Sequence, residues 1–66
     1  SLNVWIWNQR LDGAKRDICD PALAGRTITE IAFGWGFNDA AHFSRIFRGR
    51  FGCSARELRG ECLRKA

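Results

Sequence analysis

From residue 2 to about residue 19 the apolar positions Val4, Trp7, Leu11, Ala14 and Ile18 recur at alternating steps of three and four. That spacing puts side chains on one face of a helix. It predicts an amphipathic helix of about five turns, with Ser1 as its N-cap. Trp5 and Ile6 widen the apolar surface beyond one stripe. Core is the ordinary destination for both, and the sharper reading is that part of this surface meets a segment outside the sequence. Gly13 sits in the helix interior, where glycine costs ~1 kcal/mol relative to alanine, so tertiary packing must help hold the helix. Asp20-Pro21 ends it, because the residue before proline is pushed out of the α region and proline has no N–H to donate. Pro21 to Arg26 reads as a connector with room for one helical turn.

A second pattern begins at Thr27-Ile28-Thr29-Glu30, a capping box in which hydroxyl and carboxylate each take a free backbone donor. Ile28, Ile31, Ala32 and Trp35 then share a helical face. Gly36 can adopt a positive φ and redirect the chain, and Phe37 folds back as an anchor for the turn. Ala32, four residues before that glycine, is small enough for the next helix to cross closely. Asn38 or Asp39 caps a helix running to about Phe51. Phe43, Ile46, Phe47 and Phe51 form its inner face, while Ala41, His42, Arg45, Arg48 and Gly49 fall outward. Gly52 is a natural C-cap, and Ser54-Ala55-Arg56-Glu57 repeats the capping-box signature. A final short helix carries Leu58 and Cys62 inward, with Arg64, Lys65 and Ala66 frayed. The expected fold is all-α, a small bundle of about four helices with no strand, in which residues 27–51 form a helix-turn-helix.

Sixty-six residues make one small domain, which buries only about 60% of the surface its unfolded chain exposes. With 45% hydrophobic and 27% charged residues the chain is ordinary for a globular protein, and disorder is not expected. Three cysteines, an odd number with no C-x-x-C pair, argue against both a disulfide framework and a zinc site. Cys19, Cys53 and Cys62 are most simply read as small buried hydrophobes, which suits a reducing cytoplasm. No apolar run approaches the roughly 18 residues of a membrane span, and the amino end has no basic region followed by an apolar core. A soluble chain, away from the membrane, is expected. One His and no metal cluster or nucleophile–base–orienter set leave little from which to build an enzyme, and no cofactor is implied.

The net charge of +4 is unevenly placed. In residues 1 to 34, Arg10, Lys15, Arg16 and Arg26 cancel Asp12, Asp17, Asp20 and Glu30. Residues 35 to 66 hold seven bases against Asp39, Glu57 and Glu61, so the whole excess lies there and points to a polyanion. The outer face of the helix from Asp39 to Phe51 suits double-stranded DNA. Ala40 and Ala41 let its backbone approach and can touch a thymine methyl, and His42 can bond a base edge. Arg45 can reach guanine O6 and N7 bidentately. Arg48 and Arg50 lie nearer the helix end and suit phosphates, as do Arg56 and Arg59 beside the free amides of the last helix. Against this, an arginine-rich face is often only a solvated surface, and a single exposed histidine is more often inert. Phe43 and Phe47 lie opposite Arg45 and read as core rather than as base-stacking platforms. The competing class is a protein-interaction module whose basic face meets an acidic partner.

Ile31-Ala32, Gly36-Phe37, Phe43-Ser44-Arg45, Phe47-Arg48, Phe51-Gly52 and Ser54 through Arg59 together resemble the signature of the AraC/XylS family of bacterial transcription regulators. The resemblance extends upstream through Arg10-Leu11 and Ala14, covering residues 1 to 60. It implies a homeodomain-like DNA-binding region of two helix-turn-helix units joined by a long central helix. Leu2 to Cys19 looks like that central helix and Thr27 to Phe51 like the second unit, with the first unit missing from the sequence. By the same resemblance Ala40, Ala41, His42 and Arg45 face the major groove and Arg48 lies near the backbone. Family members carry a separate effector or dimerisation domain and act as activators that touch RNA polymerase. Two departures stand out. Ala55 occupies the position where the family prefers proline at the start of the last helix. Asp17 replaces an apolar residue, which implies a looser contact between the central helix and its neighbours.

Overall fold

A computed structural model describes residues 2 to 65, with side chains described through residue 64. The expected Ser1 cap and the fraying of Ala66 fall outside these residues. Helix α1 spans Leu2–Ile18, a rod of about 26 Å. Beyond it the Asp20 carboxylate accepts the Ala22 N–H at 2.9 Å and opens a single 3-10 turn over Pro21–Leu23. Helix α2 covers Ile28–Gly34, α3 Ala40–Phe51 and α4 Ala55–Lys65. No strand occurs among the described residues, so the fold is an all-α bundle of four helices. Lys65, expected to fray, is still helical.

The local chemistry that predicted the boundaries of α2, α3 and α4 is visible there. Thr27 Oγ1 accepts the Glu30 N–H at 3.0 Å and Glu30 Oε1 accepts the Thr27 N–H at 3.1 Å, a complete capping box. At the start of α4 the Ser54 hydroxyl accepts the Glu57 N–H at 3.0 Å. Gly52 ends α3 with φ 78°, in the left-handed region that glycine enters without a Cβ penalty.

The core draws on every helix. Leu11, Ala14 and Ile18 come from α1, Ile31 and Ala32 from α2, Phe37 from the turn, Phe43 and Phe47 from α3 and Ala55 from α4. Ala32 is fully buried, as its small size at the crossing predicted. Gly13 is buried too, for a reason the helical pattern does not reveal. A Cβ there would lie 2.4 Å from the Trp35 ring, so the bare backbone of α1 is the seat on which that indole lies.

Three expectations need correction. The apolar stripe of α1 does not all reach the core: Val4 is exposed and Trp5 is 60% exposed, while Ile6 and Trp7 are half-buried. A helix this long overruns the short elements packed on it. Asp17 does not loosen the packing of α1, because its Oδ2 accepts the Trp35 indole N–H at 2.8 Å and ties α1 to the end of α2. The cysteines are not three buried hydrophobes either. Cys19 and Cys62 form a disulfide with Cα atoms 5.3 Å apart, and Cys53 is free and half-buried. Helix packing, not sequence spacing, brings the end of α1 beside the last turns of α4.

Candidate nucleic-acid interface

The turn between α2 and α3 sets the direction in which α3 points. Gly36 has φ 95°, a conformation that costs a side-chain-bearing residue strain. A Cβ there would also come within 3.2 Å of the Arg10 guanidinium, which lies over the Trp7 ring at 4.8 Å. The Phe37 N–H returns to the Ala32 carbonyl at 3.1 Å, and the Phe37 ring packs between Trp7 and Phe43 at centroid distances of 5.1 and 4.9 Å. From there the rings continue along α3 through Phe47 to Phe51, at 5.5 and 4.6 Å.

Asp39 caps α3, its Oδ1 accepting the N–H groups of Ala41 at 2.9 Å and His42 at 3.3 Å. Phe43 and Phe47 face the core, and Ile46 and Phe51 pack partly against it. The opposite side is open: Ala40, Ala41, Ser44, Arg45, Arg48 and Gly49 are all exposed. Ala41, Arg45 and Arg48 follow at steps of four and three, which keeps them on one stripe. Ser44 lies within it and was absent from the sequence-based set, although its three-residue step from Ala41 was a readable signal.

The eight expected site residues divide into two groups. Ala40, Ala41, Arg45, Arg48 and Arg56 are exposed, and none of these arginines pairs with a carboxylate among the described residues. The other three are engaged within the fold. His42 is half-buried, its ring edge-on to Trp7 at 5.9 Å, so it does not fall fully outward as expected. Arg50 leans to α1, where its Nε and Nη2 donate to the two Asp12 carboxylate oxygens, each at 3.1 Å. Arg59 donates from Nη2 to the Leu23 carbonyl at 2.7 Å, and its buried Nε has no partner. It braces α4 against the connector. The amide of Glu57, one of those expected to be free at the start of α4, is occupied by Ser54.

The Thr27 backbone N–H, and after it the Thr27 side chain, holds the Glu30 carboxyl below its ordinary 4.5. No group of three or more His, Cys, Asp or Glu side chains is placed to hold a metal ion among the described residues, and no described helix is long and apolar enough to cross a membrane.

Two short helices meeting across a glycine turn, the second with a free basic outer stripe, define the class: this is a helix-turn-helix domain. A family model described as a helix-turn-helix domain matches residues 1–61. The transcriptional activator NphR of a Rhodococcus species is 38% identical over 64 residues, which is 97% of this chain and 18% of NphR. The transcriptional activator RhrA of Rhizobium meliloti is 36% identical over 59 residues, 89% of this chain and 18% of RhrA. The HTH-type transcriptional activator RhaS of Escherichia fergusonii is 54% identical over 33 residues, half of this chain and 12% of RhaS. The chain thus spans less than a fifth of the length of these curated relatives. No solved structure gives a significant match. The chain belongs to the AraC/XylS family of DNA-binding transcription regulators, and the relatives it matches are regulators rather than enzymes.

Proposed function

We propose that α3 enters the major groove of double-stranded DNA as the reading element of the second of two helix-turn-helix units, with α1 as the helix that joins them. The first unit lies outside this sequence. The observation that carries the reading is the division of α3: its inner side is committed to the core, while Ala40, Ala41, Ser44, Arg45 and Arg48 stand exposed on the other. Small residues precede the cations, so the amino-terminal half can approach base edges while the later turns meet the backbone. Arg45 reads a base and Arg48 lies on a phosphate. Arg56, across Gly52, adds a second phosphate contact. His42 contributes at most a contact at the margin of the stripe, because Trp7 covers one side of it. RNA polymerase is proposed as a further partner of the whole regulator, on the strength of relatives named as activators.

The test uses the two-unit DNA-binding region and a duplex selected from a random library, since two linked units raise affinity through effective concentration. Arg45→Ala is expected to reduce the preference for the selected duplex over random duplex by about 5- to 150-fold, equivalent to ~1–3 kcal/mol for one bidentate base contact. Arg48→Ala is expected to weaken both duplexes alike and to lower the salt slope by about one. An Arg45→Ala protein that lost affinity equally for all sequences would remove the base-reading role. Flat discrimination by the unaltered region would favour an acidic protein partner for the basic face instead.

A further inference from the structure

Helix α4 is thinly held. Ala55 is its one buried residue among those described, and Leu58 packs partly on the core. Arg59 bonds the Leu23 carbonyl. Beyond that point Gly60, Glu61 and Arg64 are exposed and Leu63 is half-buried. The tie for these last turns is the disulfide from Cys62 to Cys19, a bridge across 43 residues of sequence. Both cysteines are half-buried rather than enclosed, and Cys19 lines an open hollow with Asp12, Lys15 and Arg16. A chromosome-binding regulator works where low-molecular-weight thiols keep cysteines reduced, and disulfides that form in such a compartment are usually transient or sensing.

We propose that Cys19 and Cys62 are a thiol–disulfide switch that docks or releases the carboxy-terminal half of α4. In release, a low-molecular-weight thiolate attacks one sulfur and expels the other cysteine as a thiolate. A second thiolate then attacks the mixed disulfide, leaving two cysteines that take protons from solvent and one low-molecular-weight disulfide. The small disulfide runs the same exchange backwards, accepting the two electrons as the protein bond forms. In the bonded state the last turns of α4 are pinned to the end of α1, while Arg56, between the Ala55 and Leu58 anchors, is held in either state. In the reduced state the helix keeps only its Ala55 and Leu58 anchors and the Arg59 bond, and it frays from its carboxyl end. Cys53, on the segment before α4, has no bonded partner and serves as an internal control. Release of these last turns does not rest on the reading of Arg56 as a phosphate contact.

The chain is equilibrated with oxidised or reduced glutathione, and thiols are counted after quenching in denaturant. One thiol is expected in the oxidised sample and three in the reduced. Hydrogen exchange of the amides at residues 60–64 should quicken by about tenfold or more on reduction, as expected for local opening, with those of Ile31 and Phe47 far less affected. Cys62→Ser should exchange like the reduced protein under both conditions, while Cys53→Ser should keep the response. Binding to a random-sequence duplex at low salt should stay within about twofold on reduction, since Arg56 keeps its anchors and its phosphate contact. Three thiols after oxidation, or equal exchange of α4 in the two states, would overturn the switch. Duplex affinity that fell severalfold on reduction would overturn the confinement of release to the last turns. Failure of both redox states to bind any duplex would instead remove the DNA reading, with the exchange data still deciding the switch.

Discussion

Replacing Gly13 by alanine sets two physical effects against each other. Helix propensity alone predicts that Gly13→Ala stabilises α1 by ~1 kcal/mol, since alanine loses less backbone freedom on folding. The structure predicts the opposite sign. The new methyl would lie 2.4, 2.5 and 2.6 Å from Cη2, Cζ2 and Cζ3 of Trp35, far inside ordinary contact. The indole cannot retreat freely, because its N–H is bonded to Asp17, one turn further along the same helix, at 2.8 Å. Overpacking costs ~1–3 kcal/mol, and stretching a hydrogen bond to a charged acceptor until it breaks costs ~1.5–3 kcal/mol. Set against the propensity gain, the net loss is about 1.5 kcal/mol or more. A domain of this size holds roughly 3–5 kcal/mol in total, so Tm should fall by about 6–12 °C or more. Thermal and urea unfolding followed by far-UV circular dichroism measures this directly. Repeating the change in a Trp35→Ala background removes the obstacle, and there Gly13→Ala should stabilise. A Gly13→Ala protein with a raised Tm in the unaltered background would refute the reasoning.

Asp12→Ala should shift stability by less than about 1 kcal/mol, as expected for an exposed pair, but it frees the Arg50 guanidinium from its two bonds. Affinity for random duplex is then expected to rise and the salt slope to steepen by up to about one, and an unchanged slope would mean that Arg50 cannot reach a backbone even when released. Glu30 gives a pH dependence of known sign. Its carboxyl is held below 4.5 by the Thr27 bonds, so its contribution is fully present above the ordinary value and is lost as pH falls through the lowered one. Thermal scans from pH 7 to pH 3 should therefore show Glu30→Gln less stable than the parent near neutrality and converging with it in acid, and a constant gap would place the effect elsewhere.

What the sequence disclosed and what it hid follow from the range of the interactions involved. The Thr27–Glu30 box, the Asp39 cap and the Gly36–Phe37 turn act within five residues, so the residues that make them could be read in a short window. The inner stripe of α3 was legible for the same reason, because Phe43 and Phe47 are one helical turn apart. The bonds that join distant elements were not. Asp17 meets Trp35 across 18 residues, Asp12 meets Arg50 across 38 and Cys19 meets Cys62 across 43, and each pairing exists only once the helices have packed. Gly13 misled for a related reason: propensity registers the backbone cost of glycine and is blind to the indole lying on it. The arginines divided along the same line. Arg45 and Arg48 remained on the open face that periodicity assigned them, whereas Arg50 and Arg59 found partners on other elements that no local pattern could supply.

The run of rings from Trp7 through Phe37, Phe43 and Phe47 to Phe51 joins α1, the turn and the whole length of α3 in one packed column. The orientation of α3 is therefore stored on its inner side, and the outer side carries almost no share in keeping it. Ala41, Ser44, Arg45 and Arg48 can then be exchanged for other side chains at little cost to folding, since surface changes away from caps and the core usually stay within ~0.5 kcal/mol. A domain built this way separates its aim from its message. New binding preferences can be tried on the outer stripe without first finding compensating changes in the core.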